Sequence, residues 1–287
     1  MAQVDYKNLK SNGFMLQNQA DHFSVRLRVI GGQIKTKQLQ TISEAAEKYG
    51  KGYVHITSRQ SVEIPYIKLE DIEAFKAALA DGEVQIGVCG SRVRTVTACQ
   101  GNAVCQHGHV DTIALADEID KRCYGRELPH KIKIGVTGCR NNCLKADIND
   151  IGIKGGLQPI WSEENCVYCG ACVKVCPGKA IRVNKNKKTL NYNENICVQC
   201  GKCVKICPKK SWTGREGFVI YFGGLFGNTI AIGKKIIPIV FSSEEVYKAI
   251  DITLDYFSAN GKKKERFYTM LERIGWAEFT EKLKTAL

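Results

Sequence analysis

The chain has 287 residues, 44% hydrophobic and 25% charged, a composition that suits a folded globular protein and excludes a disordered or fibrous one. The formal charge of +13 invites a nucleic-acid reading, but no basic run is interleaved with aromatics, and NKNKK at 184–188 reads as a solvated turn. Fourteen cysteines behind an opening, MAQVDYKNLK, that has no apolar h-region point to metal binding in the cytoplasm rather than secreted disulfides.

In chain order, FSVRLRVI (23–30) alternates as a strand with Arg26 and Arg28 on one face, ahead of Gly31 and Gly32. A helix follows at 36–49. The stretch 53–64 reads as one strand, with His55, Thr57, Arg59, Ser61 and Glu63 on one face and Val54, Ile56, Val62 and Ile64 on the other. A helix at 70–80 and a strand at 84–89 lead to TACQGNAVC, where Cys99 and Cys105 flank five residues. The next helix, 111–124, carries Cys123 on the same face as Ile119, so Cys123 reads as a small core residue, and Cys89, with no partner at ligand spacing, reads likewise. The strand 131–136 puts Lys131 and Lys133 on one face and runs into GCRNNC, where Cys139 and Cys143 flank three residues.

Residues 166–177 (CVYCGACVKVCP) and 197–208 (CVQCGKCVKICP) both follow the C-x2-C-x2-C-x3-C-P run of bacterial ferredoxins. In that run three cysteines grip one cubane and the fourth reaches the other. The spacing therefore predicts two [4Fe–4S] centres, one on Cys166, Cys169, Cys172 and Cys207, the other on Cys197, Cys200, Cys203 and Cys176. The duplication predicts an inserted ferredoxin domain at 157–212. The remaining quartet, Cys99, Cys105, Cys139 and Cys143, leaves zinc and a third cluster both open on spacing alone, with His107 and His109 nearby. After the insert come a strand at 217–222 and helices near 243–258 and 264–284. The apolar stretch 218–233 contains Asn228 and Thr229, is too short to span a bilayer and runs into Lys234 and Lys235; it reads as buried strand and glycine-rich loop.

The pairing of C-x5-C with C-x3-C resembles the sirohaem-dependent sulfite and nitrite reductase family. By layout the chain is most similar to that family's anaerobic sulfite reductase subunits and small methanogen-type members, which also carry an inserted ferredoxin. The resemblance implies that Cys99, Cys105, Cys139 and Cys143 hold a third [4Fe–4S] cluster and that Cys143 also ligates the sirohaem iron. Further family motifs match Arg26-x-Arg28 before Gly31 and Gly32, the Thr57-x-Arg59-Gln60 strand, Arg94 ahead of C-x5-C, and Lys131-x-Lys133 ahead of C-x3-C. By the same resemblance Arg28, Arg94, Lys131 and Lys133 surround the substrate, and Arg26, Thr57, Arg59 and Gln60 face the sirohaem carboxylates. GGLFGNTIAIGKK (223–235) and LERIGWAEF (271–279) also resemble family segments.

The implied fold is α+β: a ferredoxin-like half-domain (1–80), a sirohaem and [4Fe–4S] domain (81–156 and 213–287), and the inserted ferredoxin domain. The implied activity is six-electron reduction of sulfite to sulfide, with nitrite reduction or a haem-free electron-transfer subunit as alternatives. Sulfite or nitrite would be the substrate, and a ferredoxin or flavoprotein subunit the donor. Larger relatives carry two half-repeats where this chain carries one, so a homodimer with shared sites is expected. No nucleic-acid partner and no membrane span are expected.

Overall fold

The computed structural model describes residues 4–287; residues 1–3, the start of the stretch that lacks an apolar h-region, lie outside it. The N-terminal part is an antiparallel sheet in the order Phe14–Leu16, His22–Arg26, Val62–Lys68, His55–Ile56. The helices Thr36–Tyr49 and Ile72–Asp81 pack on the strand Val62–Lys68, and Phe23, Val25, Ile42, Ile64, Phe75 and Leu79 close the core between them. The strand His22–Arg26 and the two helices lie where the alternation and the helical period of the first eighty residues predict them.

Two expected strands differ. The single strand predicted at 53–64 is a hairpin: Ile56 pairs with Val62 and His55 with Glu63. Between them the Thr57 amide donates to the Ser61 carbonyl at 2.8 Å, the Ser61 amide donates to Thr57 Oγ1 at 3.1 Å, and Gln60 takes φ +56°. A threonine hydroxyl that caps its own turn competes with extended backbone, and here it wins. The stretch 84–89 contributes only an isolated bridge between Leu27 and Ile86.

The second part is built on a mixed sheet in the order Trp212–Phe222, Ile151–Trp161, Ile134–Thr137, Thr97–Ala98; the first pair is antiparallel and the other two parallel. The helix Thr112–Cys123 starts where Asp111 Oδ1 accepts from the Ile113 and Ala114 amides, and it covers the two parallel strands. Ser242 and Glu245 form a capping box that opens the helix Ser243–Asn260. The terminal helix predicted at 264–284 is two helices, Phe267–Ile274 and Ala277–Ala286, broken at Gly275 with φ +90°. Cys123 is buried in this core and Cys89 is also buried, matching the reading of both as structural.

The strand Ile151–Trp161 is not predicted from the sequence. It pairs along its whole length with Trp212–Phe222, and Trp161 is the register partner of Trp212. The chain leaves this hairpin at residue 161 and returns at 212, so 162–211 is a lobe inserted at its tip. No described helix is long and apolar enough to cross a membrane.

Candidate functional site

The parallel strands Thr97–Ala98 and Ile134–Thr137 organise the chemistry, with cysteines after their C-terminal ends and cations before their N-terminal ends. Cys99 directly follows the first strand, and the short helix Gly101–Val104 delivers Cys105, whose amide donates to the Gly101 carbonyl at 2.9 Å. Cys139 and Cys143 lie in the loop after the second strand. The Gly138 amide donates to Cys99 Sγ at 3.1 Å, and burial together with nearby Cys105, Cys143 and Cys99 pushes the Cys139 thiol up. These four thiols therefore share one neighbourhood, with Cys105 and Cys143 exposed. Among the described residues no three His, Cys, Asp or Glu side chains converge as single-ion ligands. His109 is buried and turned toward Glu216, its Nδ1 lying 3.2 Å from Glu216 Oε1.

A network that sequence reasoning missed holds the Cys139–Cys143 loop. Buried Lys154, on the strand Ile151–Trp161, donates to Asp147 Oδ2 at 2.7 Å and lies 4.4 Å from the centre of the Tyr221 ring. Asn142 Nδ2 donates to Asp147 Oδ1 at 2.8 Å. Burial pushes the Asp147 carboxyl up, but Lys154 and Asn142 outweigh it and hold it below its usual range. The only sequence signal was a lysine interrupting an otherwise apolar, glycine-rich strand.

At the other end of the parallel pair, a cavity of about 230 Å³ is lined by Arg26, Thr57, Arg59, Arg94, Lys131 and Lys133. Arg26 is paired with Glu63. Arg59 donates to Asn149 Oδ1 at 2.9 Å and the Thr95 carbonyl at 3.0 Å; burial, with Arg94 and Arg26 close by, brings it down to about 10 against the opposing pull of Asp150. Arg94 donates to the carbonyls of Val88 and Gly90, both at 3.0 Å, and its buried Nε has no partner among the described residues. Burial and the nearby Arg266 and Arg94 lower Lys131, and burial with Arg59 and Arg266 brings Lys133 down to about 8. Fully buried Asp150 anchors the group by accepting from the Lys133 amide at 2.9 Å and from Arg266 Nη2 at 3.0 Å. Arg266, on the far side of the inserted lobe in sequence, had no local signal.

Two residues of the sequence-derived set stand apart. Arg28 donates from Nε to Asp120 Oδ2 at 2.9 Å, stacks 3.9 Å over the Tyr124 ring and lines a different cavity, of about 760 Å³, with Gln33, Lys35, Gln85 and Gln100. Gln60 bonds the Ala98 backbone in both directions, donating to its carbonyl at 3.0 Å and accepting from its amide at 3.1 Å.

In the lobe 162–211, Cys166, Cys169, Cys172 and Cys207 line one small cavity, and Cys176, Cys197, Cys200 and Cys203 line another. The two halves repeat at an offset of 31 residues from Cys166 to Cys197, and the backbone repeats with them. Tyr168 and Gln199 take φ +52° and +55°, Gly170 and Gly201 +78° and +68°, and Lys179 and Lys210 +51° and +52°. In the second turn the Gln199 amide donates to Cys197 Sγ at 3.3 Å. Burial and the neighbouring Cys197 and Cys200 push Cys203 up to about 12.

A family model described as the nitrite and sulphite reductase 4Fe-4S domain matches residues 89–287, and one described as the nitrite/sulfite reductase ferredoxin-like half domain matches 15–82. The chain is 36% identical over 256 residues to the coenzyme F420-dependent sulfite reductase of Methanocaldococcus jannaschii, covering 88% of this chain and 41% of that protein. It is 33% identical over 184 residues to an anaerobic sulfite reductase subunit of Salmonella typhimurium, covering 59% of this chain and 54% of that one. The chain thus spans about half the length of these curated relatives. The solved structure of dissimilatory sulfite reductase I shares its fold, with a TM-score of 0.71 at 19% identity, over 91% of this chain and 69% of that one.

Proposed function

The chain belongs to the nitrite and sulphite reductase 4Fe-4S domain family, and from that premise we propose that it is the catalytic chain of a sulfite reductase. Cys99, Cys105, Cys139 and Cys143 would hold a [4Fe–4S] cluster, with Cys143 shared by the sirohaem iron. Two further [4Fe–4S] clusters would occupy the cysteine cavities of the lobe 162–211, an inserted ferredoxin domain on this reading. Bound sirohaem would supply the iron at which sulfite is reduced by six electrons and loses its three oxygens as water.

The observation that carries this reading is the cationic cavity of Arg26, Arg59, Arg94, Lys131 and Lys133, in which Arg94 Nε is buried and partnerless among the described residues. Arg26 is paired with Glu63, but half-buried Arg59, Arg94, Lys131 and Lys133 form no salt bridge among the described residues, and such cations suit an oxyanion. The chain's own residues bind and orient the anion there, and Lys131 and Lys133, both lowered from the ordinary lysine range, can hand protons to its leaving oxygens. Arg28 is assigned to the same anion, which it reaches by exchanging the Asp120 carboxylate for it. Arg26, Thr57, Arg59 and Gln60 are assigned to the carboxylates of the sirohaem.

The strand geometry supports a homodimer with shared sites. Lys133 precedes and Cys139 follows the strand Ile134–Thr137, which sets them at its opposite ends, roughly 15–20 Å apart. Arg94 and Cys99 are separated in the same sense, so the cations and the cysteines of one copy do not meet at a single iron. Cysteines of one protomer facing cations of its partner would complete each site.

The test is complementation. Cys143→Ser and Lys133→Met are expected to be inactive alone. Co-expressed at equal levels, they should recover about a quarter of wild-type activity, because half of the dimers are mixed and each has one intact site. No recovery would place both halves of the site in one chain. Comparing kcat/KM for sulfite and nitrite on the wild type then chooses the substrate.

A further inference from the structure

The two halves of the lobe 162–211 are alike in sequence and backbone but not in surroundings. A Cβ on Gly201 would lie 3.3 Å from His109 Cε1 and 3.3 Å from Leu157, both outside the lobe. Gln199, two residues earlier, is buried, accepts the Leu157 amide at 2.8 Å and receives Lys235 Nζ at 3.3 Å. His109 in turn donates its amide to the Gly138 carbonyl at 2.8 Å, one residue before Cys139. The equivalent Gly170 meets only Lys185 of the lobe itself, at 3.8 Å. There Cys169 is exposed beside Val167, which is 56% exposed, and Val173 and Ile206, next in sequence to the cluster ligands Cys172 and Cys207, are 37% and 45% exposed.

The lobe also concentrates positive charge. Residues 162–211 carry ten basic and three acidic side chains, a net of +7 out of the chain's +13. All ten cations are exposed, and none of them forms an ion pair among the described residues. Two clusters at roughly −2 each would leave the lobe positive. Exposed apolar side chains and unpaired lysines, with Lys185 and Lys209 beside the outer cysteine cavity, match an acidic redox protein.

We propose that an acidic electron-donor protein docks on the Cys166–Cys169–Cys172–Cys207 end of the lobe and that electrons leave by the Cys176–Cys197–Cys200–Cys203 end, beside His109. Each encounter moves one electron: the donor is oxidised by one, the outer cluster is reduced by one, and no bond forms or breaks. The proposal rests on the lobe holding two clusters, as in the function proposed above.

The experiment follows cluster bleaching by stopped flow in the reconstituted full chain, using reduced flavodoxin, an acidic flavoprotein, and reduced methyl viologen in parallel. With flavodoxin the wild-type rate should fall at least ~10-fold between roughly 20 and 300 mM NaCl. The double variant Lys174→Glu, Lys185→Glu should be slowed about 10-fold at low salt and should lose most of the salt dependence. Lys205→Glu, at the inner end where Lys205 Nζ lies 3.5 Å from the Gln106 carbonyl, should behave as wild type. Methyl viologen should bleach all three proteins alike at equal iron content.

A flavodoxin rate indifferent to salt and to the outer pair would overturn the docking surface. Equal slowing by Lys205→Glu would overturn the polarity. The haem band of the same samples reads the proposed function separately: its absence would remove the reductase reading and leave the bleaching result standing.

Discussion

Arg28 Nε donates to Asp120 Oδ2 at 2.9 Å, and this contact ties the segment just after the strand His22–Arg26 to the helix Thr112–Cys123, 92 residues further along the chain. Asp120 is fully buried and also accepts the Val96 amide at 3.0 Å; Arg28 retains 20% side-chain exposure. Breaking such a pair from either side leaves a charge behind, at a cost of about 3 kcal/mol. If Arg28 binds the anion as proposed, Arg28→Ala should lower stability and raise KM for sulfite, because it removes both the pair and that ligand. Asp120→Asn should lower stability without raising KM, because it leaves the guanidinium free for the anion. Thermal midpoints and steady-state KM of the two variants decide this, and an Asp120→Asn protein with KM raised as far as in Arg28→Ala would sink the exchange.

The first predicted strand and helix of the N-terminal part were legible because each has one buried face: Phe23, Val25 and Leu27 alternate in the core, and Ile42, Ala45 and Ala46 follow the helical period. The strand Ile151–Trp161 was not legible, because residues 151–157 are all buried and the pattern of apolar residues and glycines has no period of two. The Thr57–Ser61 turn was hidden in good alternation. In the candidate site, cation and cysteine motifs are readable as spacings. The partners that hold them are set by tertiary packing: Asp120 for Arg28, Asp150 with Arg266 for the Lys133 segment, and Lys154 for the Cys143 loop.

Lys133 should set an alkaline limb. The groups facing it are Arg59, Arg266 and Lys131, which with burial lower it to about 8, and Asp150, which opposes them. Its ammonium form is therefore present below about 8 and lost above. If it binds and protonates sulfite, kcat/KM should fall as pH rises through that value. Lys133→Arg stays charged over the whole range and should lose this limb, at lower absolute activity. A profile measured from roughly pH 6 to 9.5 checks it; the same limb in both proteins would assign it to another group.

Lys154→Met should act on the Cys143 loop. The substitution keeps the length of the stem but strands Asp147, which is only 19% exposed, without its cation. Asp147 then loses the partner that opposes its burial, and the Asn142 contact on the same carboxylate weakens with it. The expected result is loss of the haem band and about five irons per chain, one cubane plus one haem iron, with about eight retained in the lobe. Iron analysis and the visible spectrum of the same sample check this. Full iron with an unchanged haem band would mean that the loop holds its place without Lys154.

Gly155→Ala probes the same loop from beneath. A Cβ at Gly155 would stand 2.3 Å from the Gly138 carbonyl oxygen and 2.8 Å from its carbon, which is backbone and cannot rotate away. Gly138 must move, and it carries both the amide that donates to Cys99 Sγ and the link to Cys139. Overpacking of this kind costs about 1–3 kcal/mol, too little to unfold the chain. The quartet should nevertheless reload poorly, since cluster assembly needs all four thiols in place. Gly170→Ala is the matched control: a Cβ there meets only the end of the Lys185 side chain at 3.8 Å, although φ +78° adds backbone strain in the lobe. Reconstituted in parallel, Gly155→Ala should lose quartet and haem iron while keeping the lobe clusters, and Gly170→Ala should do the reverse or load fully. If Gly155→Ala binds haem as the wild type does, the close approach of these two backbones does not govern the cysteine site.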